Sequence, residues 1–376
     1  EYYISQFVEK REQLLHDVLN GLDVDSKAAL ALIYMRKGRI ESPIELKDSE
    51  TQALMRLGSN LGRCVTALEA MKGSIVLLSR LNDEAVWQYK HPTIGDAYAA
   101  ILIESSEHLE IFINGSTPDR LIEQVTCGDV GVEKAIVIPK PLYPLMLKTL
   151  STFSKSESYK SEWLSKFVAR RGLLGFLARR CSKEFLSLYL QHNPGLLEQV
   201  SKPGLYLDIV PEVWLAKRLH EFGLFPEEAR RMFVDTVSKY ALEGEDVEAL
   251  IDDGIRSMFT DDEFKNLVRR VRDELLPQLD GLRCQLEAGY SSGTSPEEHM
   301  QRFLENLDSL KKRFHKIESA TTLIDQEIAY IKEWIDENKE PERSPRKLGK
   351  VETSRGPHSA RSIFDDIDAE VGIINK

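Results

Sequence analysis

Long apolar runs are missing from this chain of 376 residues. None approaches the roughly 18 residues that a helix needs to span a bilayer, which excludes a membrane-crossing helix. A basic, apolar leader is missing too: the chain opens Glu1-Tyr2-Tyr3, without an initiator Met, and reads as a cut into a longer protein. Paired cysteines are absent. Cys64, Cys127, Cys181 and Cys284 lie far apart with no C-x-x-C, so they read as buried or idle thiols of a reducing, cytoplasmic compartment. An excess of positive charge is lacking as well. A net charge of −11 and a pI near 5.4 argue against broad attraction to phosphate backbones or anionic lipid.

Catalytic motifs are equally scarce. There is no G-x-x-x-x-G-K-[ST], so no row of backbone N–H groups with an aligned Lys awaits nucleotide phosphates. No G-x-G-x-x-G, G-x-S-x-G or kinase signature occurs. His220-Glu221 begins like H-E-x-x-H, but Leu224 stands where a second imidazole must face the same metal. The acidic pairs Asp252-Asp253 and Asp261-Asp262 fall at helix boundaries, where capping explains them better than metal binding. No catalytic residue, no metal site and no cofactor of this chain alone is expected.

What is present is helical periodicity. The fold class expected is mainly α: a winged helix-turn-helix domain, then an α-helical array, then a disordered C-terminal tail. Residues 1–21 read as a helix belonging to a preceding lid or helical domain, closed by Gly21. Residues 22–104 have the order of a winged helix. Residues 26–37 (SKAALALIYMRK) are apolar at helical spacing, and 39–46 form a short extended connection. Residues 48–57 open on Asp48-Ser49, and 61–71 (LGRCVTALEAM) make a third helix. The β-type runs 74–79 (SIVLLS) and 86–89 (VWQY) then flank a turn at Asn82-Asp83. Helix resumes after His91-Pro92. Residues 105–150 read as a connector, because Pro139, Pro141 and Pro144 interrupt regular structure.

Residues 151–338 read as an α-helical sensor or scaffold domain. Helices are expected over 162–180, 183–192, 213–222, 226–241, 246–259 and 261–278. Thr260 with Glu263 makes an N-terminal capping signal. Within 162–180 the basic pairs Arg170-Arg171 and Arg179-Arg180 suit a solvated face, or a phosphate contact. Further on, Phe303, Leu307, Leu310, Phe314, Ile317, Thr321, Ile324, Ile328, Ile331 and Ile335 alternate steps of four and three. That spacing fits a helical hairpin folded onto the array, with a bend near residues 319–322, or else a coiled-coil seam for a partner. Residues 339–376 read as a disordered tail. Residues 340–361 are rich in Pro, Ser, Gly and basic residues, and an apolar-acidic cluster follows over 362–368 (SIFDDID). Such a cluster docks on its own protein or a partner, or else is a frayed tail.

A winged helix raises DNA binding as a rival function. The third helix offers Arg63 and Lys72 only at its ends, and residues 22–104 hold ten Lys/Arg against eleven Asp/Glu. Counterion release needs local positive charge, so nucleic acid is an unfavoured partner.

The segment 87–100 (WQYKHPTIGDAYAA) resembles the end of the winged-helix domain in STAND-class signalling NTPases, in particular the bacterial "novel STAND" group linked to antiphage defence. Segments 28–44 (AALALIYMRKGRIESPI), 68–80 (LEAMKGSIVLLSR), 111–128 (IFINGSTPDRLIEQVTCG) and 222–237 (FGLFPEEARRMFVDTV) are similar to that group. The resemblance implies an effector, an NTPase core and a C-terminal sensor, with exchange of ADP for ATP driving oligomerisation. The P-loop and Walker B segment are absent and are expected ahead of residue 1. This chain is therefore expected to be the regulatory and sensor half, not itself an enzyme. Its expected partners are its own missing NTPase domain, a trigger ligand such as a phage protein, and further copies on activation, with no membrane. His91 matches the family's winged-helix histidine that contacts the β-phosphate of ADP in the closed state. The alternative is a nucleotide-independent helical adaptor or a winged-helix DNA-binding regulator.

Overall fold

The computed structural model describes residues 13–81, 83–133, 135–155, 163–291 and 293–339. The expected tail at 339–376, all but Lys339, and the first twelve residues of the helical unit expected at 1–21 lie outside them. Within them the chain is mainly α-helical.

Asp23 starts the first full helix, α1 (Val24–Met35), by accepting from the Ser26 backbone N–H at 2.8 Å. Gly38, at φ +81°, turns the chain into β1 (Arg39–Ser42). Helices α2 (Asp48–Arg56) and α3 (Leu61–Met71) follow, then the hairpin β2 (Val76–Leu81) and β3 (Glu84–Tyr89). The expected two-stranded ribbon is in fact three-stranded. β1 pairs with β3 antiparallel, Ile40 opposite Trp87, and the sheet order is β1-β3-β2. Ile40, Val76 and Trp87 turn inward onto Leu30, Leu68 and Met71. A buried Glu50 on α2 takes two hydrogen bonds from Arg36 beyond α1, at 2.7 and 2.6 Å. Desolvating that carboxylate is offset by the guanidinium meeting both oxygens and by the Lys47 N–H, which donates to it at 2.8 Å.

Helix α4 (Pro92–Ile103) leads to α5 (Ser106–Gly115) and α6 (Pro118–Gln124). Two three-residue strands, β4 (Val125–Cys127) and β5 (Ile136–Ile138), then pair in parallel before α7 (Tyr143–Leu150). The stretch at 105–150 is thus more regular than its prolines suggest. Pro144 sits in the first turn of α7, where a missing N–H costs nothing.

Helices α8 (Trp163–Arg180) and α9 (Lys183–His192) are joined at Cys181, whose backbone forms an isolated parallel β-bridge with that of Cys127 in β4, both thiols remaining free. The Ser182 N–H donates to the Cys127 carbonyl at 2.8 Å. Gly128, at φ +90°, has no room for a Cβ, which would meet Tyr143 Oη and Ser182 Cβ at 2.8 Å each.

The array continues with α10 (Gly195–Ser201), α11 (Pro211–Glu221) and α12 (Glu227–Glu243). A single helix over 246–259 does not form. A 3-10 turn at Glu248–Leu250 precedes the one-turn α13 (Asp253–Arg256), because Asp246 and Asp252 spend their carboxylates on local backbone N–H groups. The run at 261–278 is helical throughout but changes winding: α14 (Asp261–Arg270), a π turn (Val271–Leu275), then a 3-10 turn (Leu276–Gln278) holding Pro277. The thiol-bearing α15 (Leu279–Ala288) follows.

Helices α16 (Pro296–Phe314) and α17 (Glu318–Asn338) form the hairpin that the alternating apolar spacing suggests. The turn lies at 315–317, ahead of the weak helix formers at 319–322. Phe303, Leu307, Leu310, Phe314, Ile324, Ile331 and Ile335 are all buried within this chain, so the stripe is consumed internally rather than left as a seam.

Candidate functional site

His91 stands two residues beyond the end of β3, after Lys90, and occupies the N-cap of α4, with extended backbone and Pro92 in the first turn. Its Nδ1 accepts the Thr93 backbone N–H at 3.3 Å and lies 2.8 Å from the Thr93 hydroxyl. A backbone N–H only donates, so the Nδ1 lone pair is committed and the neutral ring carries its proton on Nε2. The ring is exposed, and Nε2 has no partner among the described residues. The cap therefore serves a backbone N–H, not the carbonyl that a simple turn residue would reach.

Three features make this end of α4 unlike a backbone phosphate cradle. Pro92 has no N–H, the Thr93 N–H is taken by His91, and the Ile94 N–H bonds the His91 carbonyl at 3.1 Å. An anion arriving here meets the imidazole Nε2–H and the positive end of a 12-residue helix, with no free N–H row behind them. The neighbouring cation, Lys90, is turned aside, its Nζ donating to the Gly73 carbonyl at 2.6 Å.

The helix beneath is firmly seated. Ile94, Ala97 and Tyr98 are buried, and the Tyr98 ring lies 5.5 Å from that of Tyr34 on α1. Tyr89, at the end of β3, donates its hydroxyl proton to the Leu30 carbonyl at 2.8 Å. Burial pushes the Tyr34 phenol up to about 12 and those of Tyr89 and Tyr98 well above the ordinary range, so this floor stays uncharged. His91 is thus fixed to the α1–β3 body.

The other sequence candidates are placed differently. Arg170 pairs with Glu212 at 2.8 Å, Arg171 and Arg179 lie over the Trp214 ring at 5.2 and 4.0 Å, and Arg180 reaches the Val125 carbonyl at 3.4 Å. The basic pairs hold α8 against α11 and β4. Asp252 caps α13 through the Ile255 N–H at 2.7 Å and pairs with Lys217 at 2.6 Å. Thr260 and Glu263 form the reciprocal capping box of α14. His220 sits 3.0 Å from the Ser257 carbonyl. Among the described residues no group of His, Cys, Asp and Glu is arranged to hold a metal ion.

On α3 the exposed face carries Arg63, Val65, Thr66, Glu69 and Ala70. Lys72, beyond its end, is drawn to Glu69 at 3.4 Å and to the Trp87 ring at 5.6 Å. That face is thin in cations for reading a phosphate backbone.

One node escaped sequence reasoning. Asp246, wholly buried, accepts the Leu207 N–H at 2.9 Å and the Glu248 N–H at 3.0 Å, and Arg302 of α16 reaches it at 2.5 Å. Arg302 is separated from it by 56 residues, and no local signal links them.

No known protein family, curated protein or solved structure matches this chain. Among the described residues no helix is long and apolar enough to cross a membrane.

Proposed function

We propose that this chain is the regulatory and sensor half of a STAND-type signalling NTPase acting in antiviral defence. In this reading residues 22–104 are its winged-helix domain, and His91 contacts the β-phosphate of ADP held by an NTPase domain ahead of residue 1. The helix–strand–helix–helix–hairpin order with sheet order β1-β3-β2 supports the winged-helix assignment. The observation that carries the phosphate role is the committed Nδ1 of His91, which leaves Nε2–H outward at the positive end of α4.

The mechanism follows from linkage. A hydrogen bond made only in the closed ADP state favours that state by its own free energy, and a trigger that binds the open state must overcome it. Exchange of ADP for ATP then frees the helical array to assemble with further copies.

A hydrogen bond to a charged group contributes about 1.5–3 kcal/mol. In the full-length parent, His91→Ala should therefore weaken ADP binding roughly ten- to a hundredfold and yield oligomers without trigger. Titration calorimetry on a folded variant tests this, and an ADP affinity equal to wild type overturns it. The coding sequence ahead of residue 1 is a second test: the reading requires a P-loop there, and a start codon at that point sinks it.

A further inference from the structure

A groove of about 320 Å³ runs between α14 and the α16–α17 turn. Its floor is Phe264, Val268, Phe314 and Ile317, and its walls are Lys265, Arg269, Arg272, Arg313 and Lys316. A second hollow of about 400 Å³ shares Phe264 and Arg313 with it and adds Arg256, Lys312 and His315, against a single acid, Asp253. The Arg256 and Arg313 guanidinium groups lie over the Phe264 ring at 4.3 and 4.9 Å.

Part of this charge is already answered. Arg272 pairs with Asp273 at 2.7 Å, Arg256 pairs with Asp261, and Arg269 donates to the Asn266 side chain at 2.7 Å. Lys265, Lys312, Arg313 and Lys316 have no carboxylate partner among the described residues, and all four are exposed. In a chain of net charge −11, such a basic surface over an apolar floor stands against the average. A polyanion backbone would use the cations and leave the floor idle, whereas an acidic peptide with apolar side chains uses both.

From these observations we infer that the groove receives the acidic-apolar end of this same chain, residues 362–371. That segment brings Asp365, Asp366, Asp368 and Glu370 together with Ile363, Phe364, Ile367 and Val371, and no cation. Phe364, Ile367 and Val371 recur at steps of three and four, the anchor spacing of a peptide helix laid in a groove.

Chain length supports docking within one molecule. The groove lies at the start of α17, whose 21 residues carry the chain about 30 Å away before Lys339. From there 22 residues, 340–361, lead to the acidic segment. A flexible chain of that length has an r.m.s. span of about 25 Å and a limit near 75 Å. The connection thus matches the distance it must return over, the condition for the highest effective concentration, on the millimolar scale. The inference does not depend on the nucleotide reading.

The test uses the full chain with a photo-reactive benzophenone amino acid in place of Phe364. Irradiation at micromolar protein and low salt should cross-link it to residues 264–272 or 312–317 of the same molecule, with a yield independent of protein concentration. Asp365→Lys with Asp366→Lys, which changes no residue of the groove, should lower the yield about tenfold, the loss of two exposed ion pairs with added repulsion. Arg269→Glu with Arg313→Glu should do the same, and combining both reversals should restore it. Cross-links confined to residues 343–361, spread over the body, found only between molecules, or indifferent to both reversals overturn the proposal. So does a groove that binds a 20-base-pair DNA duplex or phosphatidylserine vesicles through Arg269 and Arg313 while the cross-link ignores the tail reversal.

Discussion

Arg230 on α12 donates to both carboxylate oxygens of Glu263, at 2.8 and 3.0 Å, across 33 residues of sequence. Glu263 is also the third residue of α14, where it closes a capping box with Thr260. One side chain therefore both starts a helix and fastens it to its neighbour. Arg230 is buried and carries a second carboxylate, Glu227, so the guanidinium is satisfied on all sides.

The hydrogen bonds from Arg230 hold the Glu263 carboxyl near about 2, below its ordinary 4.5. A depressed carboxylate contributes stability that is complete above the unfolded value and lost as pH falls toward the folded one. Wild-type stability should thus decline between pH about 5 and 2. Glu263→Gln, which keeps the cap but not the charge, should start lower by about 1–3 kcal/mol and decline less steeply. Urea titrations at pH 7 and 3 measure both, and parallel pH profiles would contradict the assignment.

Asp246 should be the costliest acid to remove. Asp246→Ala leaves the Leu207 and Glu248 N–H groups and the Arg302 guanidinium without their shared acceptor. Breaking a buried pair in this way costs about 3–5 kcal/mol. Arg302→Ala should cost less, since the remaining carboxylate keeps its two backbone donors. Equal and small losses for both variants in chemical denaturation would show that the node is not coupled.

The hairpin stripe is internal, and Leu307 is wholly buried in it. Leu307→Ala should cost about 2–5 kcal/mol by leaving a cavity. Its sedimentation coefficient should match wild type. A shift from a larger species to a monomer would show instead that the stripe is a seam between chains.

Thiol chemistry offers a count. Cys64, Cys127 and Cys181 are buried and Cys284 is exposed. Burial pushes the Cys64 thiol up and that of Cys181 well up, which suppresses their thiolates. Under native conditions a coloured disulfide reagent should modify one thiol quickly and the other three only at the rate of unfolding. Two fast equivalents would place a second cysteine at the surface.

Local grammar made much of this fold readable in advance. The start of α14 was given by Thr260 and Glu263, because a cap and its N–H lie within one turn, and the range expected for α9, 183–192, is the one observed. The stripe over 303–335 was legible as a helical seam, but its spacing left a hairpin and a partner seam both readable, and only the burial of its residues within this chain decides for the hairpin. The parallel β4–β5 pair was not readable. Val-Thr-Cys at 125–127 and Ile-Val-Ile at 136–138 are too short to carry a periodicity, and each becomes a strand only because the other is there. Residues 246–259 misled for the opposite reason: helix-compatible composition lost to two aspartates whose carboxylates found nearer backbone partners. At the candidate site the position of His91 was legible from the strand and Pro92 around it. The choice of Nδ1 for the cap, which decides where the proton sits, was not. The basic pairs of α8 read as surface charge, because nothing in their spacing reveals Trp214 between them.

Cys127, on β4, is bonded to the residues that open α9, while α8 packs on both α6 and β4 and α4 packs on β5. Among the described residues the strand-bearing part and the helical array therefore share one continuous apolar interior, so a substitution that loosens one is felt as lost packing in the other.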